Sequence, residues 1–255
     1  MPTALSVNIN KVALLRNARP GNVPDPVRFG RLALEAGAAG LTVHPRPDER
    51  HIRRVDVDRA AALLAEPAWT GREFNVEGNP LLPHLLPILR AVRPDQATLV
   101  PDDPDQNTSD HGFDCRDPEL AAWLRDLTAE LKDLGCRVSL FVDADEALME
   151  PAAAVGVDRV ELYTGPWAGC FGTERQATEF HRFRRAAAAA RDAGLGLNAG
   201  HDLDLRNLGP FLEIPGVEEV SIGHALVAES LELGVAETVR RYLAICSPGW
   251  HRPRP

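Results

Sequence analysis

Short runs of apolar residues, many of them β-branched, recur along the chain and alternate with longer stretches of mixed polarity. A run such as Leu41-Thr42-Val43 is typical of a strand that is buried on both sides, as in a parallel sheet. The pattern predicts strands at residues 5–9, 41–44, 73–77, 96–100, 137–142, 159–163, 195–199 and 217–222.

The stretches between the predicted strands carry helix signals. Asp25-Pro26 is a typical helix start, and it precedes a helix predicted over residues 27–36. Residues 119–134 have the apolar spacing of an amphipathic helix, and residues 225–245 are predicted to form one final helix.

This alternation predicts the fold class. Strand–helix units at a spacing of roughly 30 residues are typical of an α/β protein built as a single (β/α)8 TIM barrel, here with extra short helices. The predicted barrel domain covers residues 1–246. Residues 247–255 are rich in proline and arginine, and we expect them to form a disordered tail.

Composition and charge indicate which classes of partner the protein binds and in which cellular compartment it works. A formal net charge of -9 argues against nucleic acid as a main partner. The four cysteines lack metal-site spacing and indicate a reducing compartment. No apolar stretch reaches the roughly 18 residues of a membrane span, and the N-terminus lacks the pattern of a signal peptide. We therefore expect a cytoplasmic protein that binds neither nucleic acid nor membrane.

The end of the second predicted strand is the first candidate for chemistry. Its apolar run closes at His44, and the following loop carries Arg46 and His51. Catalytic groups of barrel enzymes lie where strands end and loops begin, so these side chains could form a wall for an anionic ligand. Alternatively, His44 is a hydrogen-bonded histidine at a strand end, and the loop is an ordinary solvated one.

The other predicted strand ends add polar residues that would face the same cavity. In a barrel, all strand ends open towards one face, where buried charged groups need partners or a function. The residues at or after these ends are Asn8, Asn10, Lys11, Glu77, Thr108, Ser109, Asp143, Glu161, His201, Gly223 and His224. The turns Gly200-His201 and Gly223-His224 follow the last two predicted strands, which is the usual phosphate site of these barrels. This convergence favours an enzyme that acts on a phosphorylated ligand.

Lys11 leaves two interpretations open. The chain has only two lysines, Lys11 and Lys132, among 28 basic residues. A lysine at a strand end could form a Schiff base with a carbonyl substrate, or it could act as a cation for a phosphate. We favour the cation, since Asn8 and Asn10 beside it supply no general base.

Several motifs together resemble the pyridoxine 5'-phosphate synthase family. They are Asn8-Ile-Asn-Lys11, Leu15-Arg-Asn-Ala-Arg19, Thr42-Val-His-Pro-Arg46, Asn75-Val-Glu77, Val138-Ser-Leu-Phe-Val-Asp-Ala-Asp145, Asn198-Ala-Gly-His201 and Ile222-Gly-His-Ala225. The resemblance implies condensation of 3-amino-2-oxopropyl phosphate with 1-deoxy-D-xylulose 5-phosphate, with release of phosphate and water. It also implies a homo-octamer built from dimers, with no metal and no organic cofactor.

The resemblance also implies roles for individual residues. His44 and Glu77 match the family's proton acceptors, His201 its proton donor, and Glu161 its transition-state-stabilising glutamate. The positions that match ligands of the aminoketone phosphate are Asn8, Arg19, Asp202, Gly223 and His224. The positions that match ligands of the deoxyxylulose phosphate are Arg46, His51 and Thr108.

The chain departs from the family pattern at two places. Asn10-Lys11 stands where Asp-His is commoner, at positions that contact the deoxyxylulose substrate, and Lys11 keeps a cationic donor there. Asp202 stands where glycine is common, so it brings a carboxylate beside the expected phosphate.

Two other enzyme classes fit the same residues. One is a metal-dependent sugar-phosphate isomerase or epimerase, with His44, Glu77, Glu161 and His201 as metal ligands. The other is a Schiff-base aldolase that uses Lys11. A barrel that only binds a phosphorylated metabolite is a further, non-enzymatic alternative.

Overall fold

A closed barrel of parallel strands forms the centre of the molecule, with each strand paired to the next and the last paired to the first. The computed structural model describes residues 2–103 and 109–247. The strands are β1 (Ala4–Asn8), β2 (Gly40–Val43), β3 (Glu73–Gly78), β4 (Gln96–Leu99), β5 (Arg137–Val142), β6 (Arg159–Tyr163), β7 (Gly196–Gly200) and β8 (Val217–Ile222). The predicted (β/α)8 barrel is confirmed, and the strands lie within a few residues of their predicted positions.

Helices follow the strands around the outside of the barrel. They are α1 (Asn10–Asn17), α2 (Pro26–Glu35), α3 (Arg54–Leu64), α4 (Leu85–Val92), α5 (Pro118–Asp133), α6 (Met149–Ala154), α7 (Gly165–Cys170), α8 (Gln176–Asp192), α9 (Leu208–Phe211), α10 (His224–Leu233) and α11 (Val235–Cys246). The sequence predicted extra short helices without naming their positions, and α7 and α9 are short helices of this kind.

One helix prediction is wrong. Residues 225–245 were predicted as a single helix, but α10 ends at Leu233 and α11 begins at Val235. Gly234 between them has a φ of 79°, which a right-handed helix does not accommodate. The glycine therefore breaks the helix, although the apolar pattern continues across it.

The two faces of the strands have different roles. Successive side chains of a strand point to opposite faces, so each strand divides its residues between the helices and the barrel interior. Leu41 of β2 packs so closely on α2 that a Cβ placed at Gly30 would lie 2.8 Å from Leu41 Cδ1. Inside the barrel, Ser6 hydrogen-bonds Thr42 at 2.7 Å, and Thr98 donates to Asn75 at 3.0 Å. These hydrogen bonds connect β1 with β2 and β3 with β4 below the ends of the strands.

Three further predictions concern the tail, the absence of a membrane span and the cysteines. Residues 248–255 of the predicted tail lie outside the described residues. Among the helices of the described chain, none is both long and apolar enough to cross a membrane. All four cysteines are buried and unbridged.

Candidate active site

A cavity of about 340 Å³ opens at the carboxyl ends of the strands. It is lined by most of the residues that the sequence singled out, namely Asn8, Asn10, Lys11, His44, Arg46, His51, Glu77, Glu161, His201, Asp202, Gly223 and His224. Arg19 is exposed beyond the end of α1 and does not line the cavity. Thr108 lies outside the described residues, whereas its neighbour Ser109 lines the cavity.

His44 lies directly after β2 and is held between two carboxylates. Its backbone N–H donates to Asn10 Oδ1 at 2.9 Å, which ties the strand end to the start of α1. Its ring atom Nδ1 is 3.7 Å from Glu77 Oε2, and Nε2 is 3.4 Å from Asp102 Oδ2. The imidazole therefore has an acidic partner on each side.

Glu77 belongs to β3 and points into the barrel, where it is buried. Asn8 Nδ2 donates to Glu77 Oε2 at 3.3 Å, and Ser221 Oγ donates to Oε1 at 3.4 Å. Burial raises the pKa of Glu77, although the charge of His44 and the Ser221 hydrogen bond oppose this rise. A carboxyl group with a raised pKa is suited to general base or acid catalysis near neutral pH.

Glu161 of β6 is a second buried carboxyl group in the same cavity. Burial, together with the charge of Glu77, raises its pKa well above the ordinary value, which favours the neutral form. Among the described residues, Oε2 has no hydrogen-bond partner. A Cβ at Gly200 would lie 2.2 Å from Glu161 Oε1, so a larger residue there would displace this carboxyl group from its position. The neutral carboxyl group can donate a hydrogen bond to a ligand.

His51 is a neutral hydrogen-bond donor rather than a cation. Burial, followed by the positive charges of His44, Arg46 and Lys11, lowers the pKa of His51 to about 3. The backbone N–H of Ile52 donates to His51 Nδ1 at 2.9 Å, so the proton of the neutral ring is on Nε2. His51 can therefore bind an anion through an N–H group, without charge.

His201 and Asp202 form a turn after β7 with an unusual backbone. Both residues have positive φ angles, 90° and 58°, which are uncommon outside glycine. The Asp202 carboxylate points at His201, with Oδ2 2.8 Å from Nδ1. This hydrogen bond lowers the pKa of Asp202 against the effect of burial, and the charges of His224 and Lys11 act in the same direction. The carboxylate thus lies among the cations expected to receive a phosphate.

A clamp from α1 holds the loop that carries His51, and the sequence reasoning missed it. Arg16 is 1% exposed, pairs with Asp56 at 2.6 Å, and donates to the carbonyl oxygen of His51 at 2.9 Å. Asn17 Nδ2 donates to the carbonyl oxygens of residues 49–51 at 2.9–3.1 Å. Both residues lie in the motif Leu15-Arg-Asn-Ala-Arg19, of which only the last arginine received a role.

The metal hypothesis requires acidic and histidine side chains grouped around one point. Within residues 2–103 and 109–247, no group of three or more His, Cys, Asp or Glu side chains is arranged to hold a metal ion. The four ligands of that hypothesis, His44, Glu77, Glu161 and His201, line the cavity without forming such a group.

Comparison with known proteins identifies related sequences over nearly the whole chain. Residues 5–248 match the model of a family described as pyridoxal phosphate biosynthesis protein PdxJ. The chain is 52% identical over 255 residues to the pyridoxine 5'-phosphate synthase of Albidiferax ferrireducens, with 98% of this chain and 99% of that protein covered. It is 53% identical over 257 residues to the enzyme of the same name from Xanthomonas campestris, with 98% of each chain covered.

Solved structures with the same fold are more distant in sequence. The Amycolatopsis orientalis BexX/CysO complex matches with a TM-score of 0.62 at 19% identity, over 99% of this chain and 93% of that one. A mutant tryptophan synthase α-subunit from Pyrococcus furiosus matches with a TM-score of 0.61 at 13% identity, over 96% of this chain and 97% of that one. These likenesses concern the barrel fold alone.

Proposed function

The chain belongs to the PdxJ family of pyridoxal phosphate biosynthesis proteins, and from this premise we propose which reaction its cavity catalyses. The proposed reaction condenses 3-amino-2-oxopropyl phosphate with 1-deoxy-D-xylulose 5-phosphate, closes the pyridine ring of pyridoxine 5'-phosphate, and releases phosphate and water. Identity of 52–53% along nearly the full length supports the assignment of the chain as an enzyme of vitamin B6 biosynthesis, a pyridoxine 5'-phosphate synthase.

The observation that carries the proposed chemistry is that two buried carboxyl groups, Glu77 and Glu161, line the same cavity as His44 and His201. Condensing an amine with a ketone, and then losing water and phosphate, requires protons to be taken from carbon and nitrogen and delivered to leaving oxygens. We assign proton acceptance to His44 and Glu77, and proton donation to His201. Glu161, neutral because its pKa is raised, would stabilise developing negative charge by donating a hydrogen bond.

Two anion subsites would hold the phosphorylated ends of the substrates. The first lies at Gly223 and His224, where α10 begins and helix N–H groups attract anions, and Asn8 lines the same region. Arg19, although it does not line the cavity, and the position of Asp202 are proposed to complete it, while the Asp202 carboxylate itself repels the phosphate. The second anion subsite is formed by Arg46 and the neutral N–H donor His51, with Thr108 as the proposed third ligand. Asn10 and Lys11 are proposed to lie beside the carbon chain of the deoxyxylulose substrate. Separate subsites suit a reaction that joins two phosphate esters.

The proposal also covers the assembly, the compartment and the cofactor requirement of the enzyme. We propose a homo-octamer built from dimers in the cytoplasm, acting without a metal or an organic cofactor. Sedimentation analysis of the purified protein would measure the assembly, and a mass near that of a monomer would contradict this part.

The alternatives are tested with the same enzyme preparation. We expect turnover of the two phosphorylated substrates to be unaffected by a chelator, with no stoichiometric metal in elemental analysis; loss of turnover on chelation would favour the metal-dependent isomerase or epimerase. Borohydride added with substrate is expected to leave Lys11 unlabelled, and labelling of Lys11 would favour the aldolase. Tight binding of both substrates without any product would favour a non-enzymatic binder.

A further inference from the structure

Asp102 lies three residues beyond the end of β4 and contacts two residues of the proposed machinery. Its side chain is 4% exposed, with Oδ2 2.7 Å from Arg46 Nη2 and 3.4 Å from His44 Nε2. We propose that Asp102 is a positioning residue that fixes the proton of His44 on Nε2 and holds Arg46 in place. The inference rests on the proposed function, because it gives Asp102 a part in the same reaction.

The position of Asp102 is set by the neighbouring strand. Asn79, which directly follows β3 and is buried, donates from Nδ2 to the carbonyl oxygen of Asp102 at 2.9 Å. The backbone N–H of Val100 donates to the carbonyl oxygen of Gly78 at 2.9 Å. The backbone of Asp102 is therefore hydrogen-bonded to the residue that follows β3, the strand that also supplies Glu77. This bond fixes the position from which the Asp102 carboxylate reaches His44 and Arg46.

The charge state of Asp102 suits an acceptor. Burial alone would raise the pKa of Asp102, but the contacts with His44 and Arg46 outweigh it, and the pKa lies below the ordinary value. An ionised carboxylate only accepts hydrogen bonds, so the hydrogen between Asp102 and His44 belongs to His44 Nε2. Arg46 forms an ion pair with the same oxygen, with Nη2 at 2.7 Å, and donates a hydrogen bond from Nη1 to the carbonyl oxygen of Asp103 at 3.3 Å.

Fixing the proton on Nε2 has a consequence for the other side of the ring. The neutral imidazole then carries its lone pair on Nδ1, which faces Glu77 Oε2 at 3.7 Å. Nδ1 is therefore the atom that accepts a proton, either from Glu77 or from the substrate. Asp102 acts on the reaction through His44 and Arg46, in the way that a buried carboxylate orients a catalytic histidine in other enzymes.

The kinetic test is the isosteric variant Asp102→Asn. We expect kcat to fall at least about 100-fold, since the amide no longer selects the His44 tautomer. The KM for the deoxyxylulose phosphate should rise about tenfold or more through Arg46, while the KM for the aminoketone phosphate stays unchanged. The matched control is Asp114→Asn, an exposed carboxylate paired with Arg116, for which both constants should stay within about twofold of wild type. Unchanged kcat and KM in a folded Asp102→Asn protein would overturn the proposal.

A measurement that needs no turnover separates this inference from the proposed function. Nitrogen NMR of ¹⁵N-histidine-labelled wild-type protein, with His44 assigned by comparison with His44→Gln, reports which ring nitrogen carries the proton. We expect protonated Nε2 in the wild type and a mixture of tautomers in Asp102→Asn. A wild-type His44 protonated only on Nδ1 would overturn the proposal even if the variant failed to fold. Loss of kcat with an unchanged tautomer would also overturn it, whereas absence of turnover in the wild type would count against the proposed function alone.

Discussion

The buried ion pair between Arg16 and Asp56 offers the sharpest test of how the barrel supports its site. Both side chains are 1% exposed, and Arg16 Nη1 lies 2.6 Å from Asp56 Oδ1. In Asp56→Ala, the guanidinium stays buried, still bonded to the carbonyl oxygen of His51 and to Asn17, but without a counter-charge. We expect this variant to be strongly destabilised.

The size of the effect follows from two losses. Removing one partner of a buried ion pair costs about 3–5 kcal/mol, because an uncompensated charge remains in the interior. Asp56 Oδ2 also accepts from the backbone N–H of Arg53 at 2.9 Å in the first turn of α3, and losing such a cap costs about 1 kcal/mol. For a protein of this size, each kcal/mol lowers Tm by roughly 2–4 °C, so the combined effect is a decrease of roughly 8–24 °C.

The assay is thermal unfolding followed by circular dichroism, with a control on the same helix. Asp58 pairs with Arg54 at 3.0 Å, but their side chains are 51% and 41% exposed. Exposed pairs of this kind contribute about 0.3–0.5 kcal/mol, so Asp58→Ala should shift Tm by no more than about 2 °C. Equal Tm values for Asp56→Ala and Asp58→Ala would refute the reasoning that the buried pair holds the His51 loop.

Three further predictions concern the site itself. Asp202→Gly should lower the KM for the aminoketone phosphate about fivefold, because removing a carboxylate beside the expected phosphate gains about 1 kcal/mol of binding; a raised KM would count against this placement. Glu77→Gln should reduce kcat at least about 100-fold while the protein stays folded by circular dichroism, and wild-type turnover would remove Glu77 from the mechanism. The pKa of His51 is about 3 in the folded chain and near 6.5 when unfolded, so the unfolded state takes up the extra proton and stability falls as pH falls below 6.5. Urea unfolding should therefore show that the wild type loses about 2 kcal/mol more between pH 7 and pH 5 than His51→Gln, and equal losses would contradict the burial argument.

The fold was predictable because its signals are local. Strands such as β2 and β5 appear in the sequence as mostly apolar runs, and the barrel follows from the spacing of the strands. The rule that catalytic groups of a barrel lie at the ends of its strands also predicted that His44, Glu77 and His201 would face one cavity. Gly234 was missed because the apolar pattern continues on both sides of it, and a backbone angle leaves no trace in that pattern.

The supporting contacts of the site were not predictable because their partners are far apart in the chain. Arg16 and Asp56 are 40 residues apart, and either alone resembles an ordinary surface charge. Asp102 was not among the residues that the sequence singled out, although an acid directly after a strand end and its proline was a usable signal. The neutral state of His51 depends on burial and on surrounding cations, which only the folded chain brings together.

Product formation by the purified protein tests the proposed synthase activity most directly. The protein is incubated with 3-amino-2-oxopropyl phosphate and 1-deoxy-D-xylulose 5-phosphate, together and separately, and pyridoxine 5'-phosphate is followed by absorbance and mass spectrometry. We predict that the product and inorganic phosphate appear in equal amounts only when both substrates are present. A folded protein that forms no pyridoxine 5'-phosphate from the two substrates would contradict the account.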